Sequence, residues 1–384
     1  MYKYKLLNDF IQANKDLPAQ GTEEWKQSRK LYIGGSEIST LLNINPYKNV
    51  KKLILERLDC TKQEKVLAPL VWGNVFEELV RLYCEKQYKT KISITGSIHK
   101  PDTYLSYSPD GIGVIHNDYL PEFIDKEKLN KDTHYIVLFE YKCPHRREPT
   151  GEIPIYYLPQ PSIGMNIIDI CEISIFIECI YRRCSFKDIL YNLEYNNYGH
   201  FTKIRLTNNP IEYGFMSIYT NTDNNIGYDI LEELHNNAIK KIRHIYDIGT
   251  IYDDTLFNKI LDYAVKGVFN IEYSYNNNYN MDTFNDYSYI QKLYNESIQY
   301  KMLKELQMMK LRLQDKLLIC IMPYKLFNRY LNPVYKQDDY IEFNNLLNRS
   351  KNVIEYINNN IDTDKLELNK FLKFNRTITK ELLG

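Results

Sequence analysis

The sequence lacks three features that would each indicate a particular class of protein. None of its apolar runs approaches the roughly 20 residues that a membrane-spanning helix needs. The amino terminus, Met1 to Lys5, has no apolar core of a secretory signal, which predicts an intracellular protein. Lys plus Arg and Asp plus Glu both number 49, so the chain has no net positive charge with which to coat nucleic acid unspecifically.

Cysteine is present, but without the spacing found in metal-binding or disulfide-bonded proteins. The seven cysteines include no Cys-x-x-Cys pair, so neither a zinc finger nor a disulfide framework is indicated. Most of them lie in apolar segments, where buried free thiols are usual. Hydrophobic residues make up 44% and charged residues 26% of the 384 positions, which is the composition of a globular protein.

The order of the predicted elements indicates an α/β or α+β core in residues 1–205. A helix is expected to start at Thr22, because acidic residues follow it, and Ser36 is expected to be the N-cap of a short helix. Further helices are expected at residues 46–58, 69–88 and 155–170, and strands within 92–115, at 134–143 and at 173–181. Such an order predicts a central mixed β-sheet flanked by helices.

Residues 206–384 differ from the core in their residue pattern and are predicted to be mostly helical. Helical patterns cover 228–247, 289–313 and 340–360, and residues 317–323 allow one strand. The patterns alone do not assign a role to this region.

The charged pair at the end of the strand at 134–143 is the first candidate for chemistry. Residues two apart in a strand share a face, so Glu140 and Lys142 are expected to project side by side. A structural ion pair is one interpretation. The other is that Glu140 binds a divalent cation while Lys142 neutralises the charge that develops on a phosphate.

Two further carboxylates complete the candidate site. Asp110 lies in Ser108-Pro109-Asp110-Gly111, where a type I turn alone would explain it. Glu77 comes from the helix at 69–88, where an ion pair with Arg81 is the alternative and Glu78 is the rival carboxylate. Together with the carbonyl of Tyr141, these carboxylates would form an oxygen-rich site suited to Mg²⁺ or Mn²⁺ rather than to zinc.

Taken in order, the motifs of residues 22–185 resemble the phage λ exonuclease or YqaJ-type viral recombinase family, which are PD-(D/E)xK nucleases. The overall likeness is to the λ-like exonucleases of large cytoplasmic DNA viruses. The motifs that carry the resemblance are Glu24-Trp25 to Arg29, Ile33-Gly34-Gly35-Ser36-Glu37-Ile38, Asn45-Pro46-Tyr47-Lys48, Trp72-Gly73-Asn74-Val75-Phe76-Glu77, Ser108-Pro109-Asp110-Gly111, Glu140-Tyr141-Lys142-Cys143-Pro144 and Pro154-Ile155-Tyr156-Tyr157-Leu158-Pro159-Gln160.

The resemblance implies a restriction-endonuclease-like core and a magnesium-dependent exonuclease that degrades double-stranded DNA from 5′ ends. It implies that Asp110 and Glu140 ligate the metal, that Glu77 assists and that Lys142 orients the attacking water or stabilises the transition state. It also implies a pocket for the 5′-phosphate, lined by Arg29, Ser36, Ser108 and Gln160. A single-strand annealing protein is an expected partner, and the host cytoplasm is the expected location if the protein is viral.

One position departs from the family pattern. The family usually repeats a glutamine two residues after the first, whereas Ser162 occupies that position here. Gln160 also lies between Pro159 and Pro161, which disturb helices. Two other functions stay open: an endonuclease or iron–sulfur nuclease with the same core, although the cysteine spacing speaks against a cluster, and a non-catalytic DNA-binding scaffold.

Overall fold

The computed structural model describes residues 2–18, 22, 24–25, 27, 31–58, 68–100, 103–184, 212–220, 254–273, 317–336 and 343–359. Its helices are α1 (Tyr2–Ala13), α2 (Ile38–Leu41), α3 (Val50–Arg57), α4 (Ala68–Tyr88), α5 (Pro159–Ile167), α6 (Asp254–Val265) and α7 (Phe343–Asn359). Its strands are β1 (Ile33–Gly34), β2 (Ile92–Ser93), β3 (Ile98–His99), β4 (Leu105–Tyr107), β5 (Gly111–His116), β6 (His134–Lys142), β7 (Ile173–Arg183), β8 (Glu212–Thr220), β9 (Phe269–Tyr273) and β10 (Leu317–Tyr335).

Among the described residues, seven strands form a mixed sheet in the order β2-β5-β6-β7-β10-β8-β9. β6 and β7 are parallel, with Glu140 opposite Phe176 and Lys142 opposite Glu178. The other pairs in this sheet are antiparallel. The predicted α/β class with a central mixed sheet is therefore confirmed.

Helices cover both faces of this sheet. The side chains of β6 point alternately to the two faces and so contribute to two apolar clusters. Val137 and Phe139 lie in the cluster that contains Trp72 and Phe76 of α4. Ile136 and Leu138 point the other way, into the cluster that contains Ile163 and Met165 of α5. Strand alternation therefore assigns Glu140 and Lys142 to the α5 face.

A small second sheet, β1-β4-β3, brings distant motifs together on the α5 side. β1 pairs in parallel with β4, so that Gly34 lies opposite Ser106. A 3-10 helix, Gly35–Glu37, follows β1 directly and leads into α2. This arrangement places the Gly34-Gly35-Ser36 segment beside the strand that precedes Asp110.

The structure corrects three helix boundaries. Ser36 lies inside the 3-10 helix rather than at an N-cap, because the extended cap position belongs to Gly34. The helix expected from Pro46 begins only at Val50, since the side chain of Asn45 first holds a turn by accepting the backbone N–H of Tyr47. The helix expected at 155–170 is confined to Pro159–Ile167.

The carboxy-terminal region contributes strands as well as helices to the described structure. β10 pairs with β7 of the core on one side and with β8 on the other. Only part of β10 had been indicated by sequence, whereas α7 agrees with the helix expected at 340–360. The helices expected at 228–247 and 289–313 lie outside the described residues. Over the described ranges, no helix is long and apolar enough to cross a membrane.

Candidate active site

The turn between β4 and β5 positions Asp110 against the end of β6. β5 and β6 are antiparallel, with Gly111 opposite Phe139. Asp110, which precedes Gly111, therefore lies next to the last residues of β6. The Asp110 carboxylate accepts a hydrogen bond from the backbone N–H of Tyr141 at 2.7 Å. Asp110 is thus fixed to the same strand end that carries Glu140 and Lys142.

Glu140 is completely buried, yet both of its carboxylate oxygens have hydrogen-bond donors. Lys142 Nζ donates to Oε1, and the hydroxyl of Tyr107 donates to Oε2 at 2.6 Å. A buried carboxylate is tolerated only when such partners offset its desolvation. Two donors therefore hold Glu140 in one orientation on the α5 face.

The ammonium of Lys142 lies among the oxygens of the strand end. Its Nζ donates to the carbonyl of Tyr141 at 2.9 Å and lies 3.9 Å from Asp110 Oδ2. Burial lowers the pKa of Lys142, but the negative charges of Glu140 and Asp110 outweigh burial and raise that pKa above its usual range. Lys142 is therefore a cation in a site dominated by carboxylates.

Asp110 experiences the same crowding of negative charge. Burial, followed by the charge of Glu140, raises the pKa of Asp110 well above its ordinary value, although Lys142 and the Tyr141 N–H oppose the shift. The strand end therefore has more carboxylate groups than the single positive charge of Lys142 can neutralise.

The structure distinguishes Glu77 from its neighbour Glu78 on α4. Arg81 forms ion pairs with Glu78 at 2.5 Å and with Glu85 at 2.7 Å, so the pair expected between Arg81 and Glu77 is replaced by one with Glu78. Burial raises the pKa of Glu77, Lys142 lowers it, and Glu140 raises it further. Of these two carboxylates, Glu77 is therefore the one whose pKa is shifted by the charges of Lys142 and Glu140.

The donor atoms at the strand end fit a hard cation through oxygen. Across the described residues, no three His, Cys, Asp or Glu side chains converge closely enough to hold a metal ion by themselves. Three oxygens, from Glu140, the Tyr141 carbonyl and Asp110, nevertheless surround one positively charged atom, Lys142 Nζ. An all-oxygen set of this kind matches Mg²⁺ or Mn²⁺, provided that Lys142 moves out of the centre.

The residues expected around the 5′-phosphate lie on neighbouring elements where they are described. Ser36 is exposed on the 3-10 helix, and Ser108 directly follows β4. The Gln160 side chain lies beside Gly35, with Cγ 3.6 Å from the position that a Cβ of Gly35 would occupy. Arg29 lies outside the described residues. The structure therefore brings Gln160 to the segment that carries Ser36.

The two prolines around Gln160 do not disrupt its helix. Pro159, Gln160 and Pro161 are the first three residues of α5, where backbone N–H groups have no partner within the helix. Gln160 donates its own N–H to the carbonyl of Tyr157 at 3.0 Å. Its backbone position is therefore well defined despite the flanking prolines.

Tyr107 connects this segment with the buried Glu140. Its ring packs closely against Gly35 and Gly164. A Cβ added to Gly35 would lie 2.5 Å from the ring, and one added to Gly164 would lie 2.6 Å from it, so neither position has room for a side chain. Its hydroxyl is the donor to Glu140. The two glycines thus make room for the side chain that holds the carboxylate.

Sequence reasoning overlooked a second buried carboxylate next to the site. Glu178 lies on β7 opposite Lys142, is 1% exposed and forms an ion pair with Arg147. Its position inside the apolar run Ile173 to Tyr181 was the available signal, since charges are rarely buried without a partner. The parallel register of β6 and β7 makes Glu178 a neighbour of Lys142.

Comparison with protein families confirms the resemblance for the core. Residues 24–168 match the YqaJ-like viral recombinase domain. Proteins from two isolates of African swine fever virus, one from Malawi and one from Badajoz, are 28% and 27% identical to the chain over 227 residues. These matches span 55% of this chain and 64%, or just under two thirds, of each viral relative.

Solved structures with similarity to the chain include an alkaline exonuclease from Laribacter hongkongensis. Two crystal structures of that protein, one of them a complex with dAMP, are 20% and 21% identical and have TM-scores of 0.30 and 0.31. Each match covers 41% of this chain and 73% of the bacterial one.

Proposed function

We propose that the chain is a divalent-cation-dependent deoxyribonuclease that hydrolyses phosphodiester bonds from the ends of double-stranded DNA. The observation that carries this proposal is the convergence of Asp110, Glu140 and the Tyr141 carbonyl on one cationic position, beside Lys142. The match of residues 24–168 to the YqaJ-like viral recombinase domain supports the same activity. Magnesium or manganese is the proposed ion.

Each side chain has a task that its geometry allows. Asp110 and Glu140 would hold the ion, with Glu77 assisting from α4, and the bound ion would supply an acidified water and neutralise the scissile phosphate. Tyr107 keeps Glu140 oriented through its 2.6 Å hydrogen bond. Lys142, once displaced from the oxygens, would contact the attacking water or the phosphate as a point charge.

We further propose that the 5′-terminal phosphate binds near Ser36, Ser108 and Gln160, together with Arg29. The proximity of Gln160 to Gly35 supports a shared pocket, and hydroxyl and amide groups are suitable donors to phosphate oxygens. Polarity from 5′ to 3′ and a role in recombination, with an annealing protein as partner, depend on this pocket and on the family resemblance.

The chemistry is tested with linear duplex DNA and Mg²⁺. Release of nucleotides by the wild type, and its loss in Asp110→Ala and Lys142→Ala, is the expected result. Glu77→Gln and Glu78→Gln form a matched pair on α4, of which only the first should slow hydrolysis. A wild type that binds DNA without cutting it would instead make the protein a scaffold, and undiminished cutting by Asp110→Ala would refute the site.

The end pocket is tested by comparing 5′-phosphorylated with 5′-hydroxyl duplexes. The wild type should degrade the phosphorylated duplex faster, and Gln160→Ala should reduce that difference. Equal rates on both duplexes in the wild type would argue against the pocket, without affecting the assignment of Asp110 and Glu140. Cleavage of covalently closed circles at the same rate would identify an endonuclease.

A further inference from the structure

A row of three tyrosine rings leads from Lys142 to the molecular surface. We call Tyr157, Tyr156 and Tyr47 the aromatic row. Lys142 Nζ lies 5.6 Å from the ring centroid of Tyr157, whose ring is 4.5 Å from that of Tyr156. The ring of Tyr156 in turn lies 5.8 Å from that of Tyr47. The row therefore has a direction, with its inner end at the candidate reaction centre.

The outer end of the row exposes large hydrophobic side chains. Tyr47 is 69% exposed, and Ile155, next to Tyr156 in the chain, is 70% exposed. Single exposed apolar residues are normal, whereas adjoining exposed apolar residues can form a patch of the kind that marks a binding surface. The inner end, in contrast, is anchored, because Tyr157 packs 5.9 Å from the buried ring of Phe176.

Short turns hold the rings in place. The side-chain oxygen of Asn45 accepts the backbone N–H groups of Tyr47 at 2.9 Å and of Lys48 at 3.2 Å. On the other loop, the N–H of Tyr157 donates to the carbonyl of Pro154 at 2.8 Å. A surface that is ordered before binding loses less entropy when a ligand arrives.

Positive charge accompanies the inner ring. The guanidinium of Arg147, which also pairs with Glu178, lies 5.7 Å from the centroid of the Tyr157 ring. The ammonium of Lys142, which pairs with Glu140, lies 5.6 Å from the same centroid. Arg146, the residue before Arg147, is exposed. Aromatic rings beside a basic surface are the combination by which proteins hold single-stranded nucleic acid, since bases stack on the rings and the cations neutralise the phosphates.

We propose that the aromatic row is a binding site for unpaired nucleotides, which stack their bases on Tyr47 and Tyr156 while the adjoining phosphates approach Arg147 and the exposed Arg146. The proposal rests on the proposed nuclease function, because it places one separated DNA strand beside the reaction centre. The faces of paired bases are covered within a duplex, whereas every unpaired base offers one. Intact duplex is therefore not the expected occupant.

The test measures binding without hydrolysis, using the full chain in EDTA. An oligothymidylate of about ten nucleotides with one 2-aminopurine reports both affinity and stacking by its fluorescence. Tyr47→Ala and Tyr156→Ala should each weaken binding roughly five- to a hundredfold, because stacking on one ring is lost. Tyr47→Phe keeps the ring and should bind like the wild type.

A matched control is Tyr119→Ala, which removes a tyrosine that is 47% exposed and packs on His116, at the far end of β5. It should leave the affinity unchanged, and all variants should unfold at the wild-type temperature. Binding of a covalently closed duplex should not respond to Tyr47→Ala.

Three results would overturn the proposal: no binding of the oligonucleotide by the wild type, unchanged affinity in both alanine variants, or an equal loss for the closed duplex. Because hydrolysis does not enter the measurement, a protein that binds through the tyrosines but cuts no DNA would refute the nuclease function alone.

Discussion

Two clusters of charged side chains, each built around one buried carboxylate, Glu140 in the first and Glu37 in the second, differ in the balance of their charges. The strand-end cluster consists of Glu77, Asp110, Glu140 and Lys142, and the helix cluster consists of Glu37, Lys48, Glu56 and Arg57. In the helix cluster two acids face two bases: Glu37 pairs with Arg57 and, at 3.5 Å, with Lys48, which also pairs with Glu56 at 2.5 Å. In the strand-end cluster three acids share one lysine.

The difference indicates which cluster is structural and which performs chemistry. Glu37 also accepts the N–H of Gly34 at 3.1 Å, so the helix cluster fastens the turn after β1 to α3. Because the acidic and basic side chains of the helix cluster neutralise one another, this cluster requires no bound ion. Excess negative charge at the strand end is costly unless a cation joins it, and such costs are typical of functional sites.

The largest expected effect is that of Asp110→Asn on hydrolysis. The amide keeps the shape of the side chain but removes a ligand charge, so the rate should fall at least about a thousandfold, or about 4 kcal/mol. Stability should stay equal or rise, because one of three crowded carboxylates is removed. Nucleotide release from linear duplex and thermal unfolding measure the two quantities. A variant that cuts normally, or that unfolds more easily, would contradict the contrast between the clusters.

In the helix cluster, Glu37→Gln should mainly lower stability, whereas Asp110→Asn in the strand-end cluster mainly lowers the rate of hydrolysis. Glu37→Gln leaves Arg57, whose side chain is 9% exposed, facing a neutral amide. Breaking a buried ion pair costs about 3 kcal/mol of unfolding free energy or more. Denaturant titration measures the loss, with Asp9→Asn as control, since Asp9 pairs with Lys5 in an exposed position.

Hydrolysis per folded Glu37→Gln molecule should fall far less than in Asp110→Asn. If the variant were as stable as the wild type, the pairing of Glu37 with Arg57 would not hold the turn, and the two clusters would not differ as described.

Tyr107→Phe should have a smaller effect, confined to the strand-end cluster. Loss of the hydroxyl leaves one oxygen of buried Glu140 without its donor, while the ring still fills the space between Gly35 and Gly164. A rate about tenfold lower at saturating Mg²⁺ is expected, which is about 1.4 kcal/mol and within the range for hydrogen bonds to charged groups.

Tyr135→Phe is the matched control for Tyr107→Phe. Tyr135 is buried at the other end of β6, and its hydroxyl donates to the carbonyl of Asn130 at 2.9 Å. Both substitutions should lower stability, but only Tyr107→Phe should lower the rate. Equal rates in the two variants would mean that Tyr107 supports the fold and does not position Glu140.

Local pattern was enough to predict the strand that carries Glu140 and Lys142, because alternation along β6 is a property of consecutive residues. Local pattern could not choose between Glu77 and Glu78. Adjacent residues of a helix point in directions about 100° apart, and only the packing of α4 determines which of the two side chains faces the strand end. Glu178 and Tyr107 depend on pairings between distant segments, β6 with β7 and β4 with α5. The same holds for β8, β9 and most of β10, whose partners lie far away in the chain.

The smallest expected effect is that of Glu56→Gln, at the edge of the helix cluster. Its side chain is 36% exposed, so water screens the pair with Lys48, and the expected loss of unfolding free energy is about 0.5 kcal/mol. The same denaturant titration that follows Glu37→Gln measures it. A loss as large as that of Glu37→Gln would show that overall balance, rather than the buried pair of Glu37 with Arg57, stabilises the cluster. A small loss would place the stabilisation in that pair, because Lys48 can still reach Glu37.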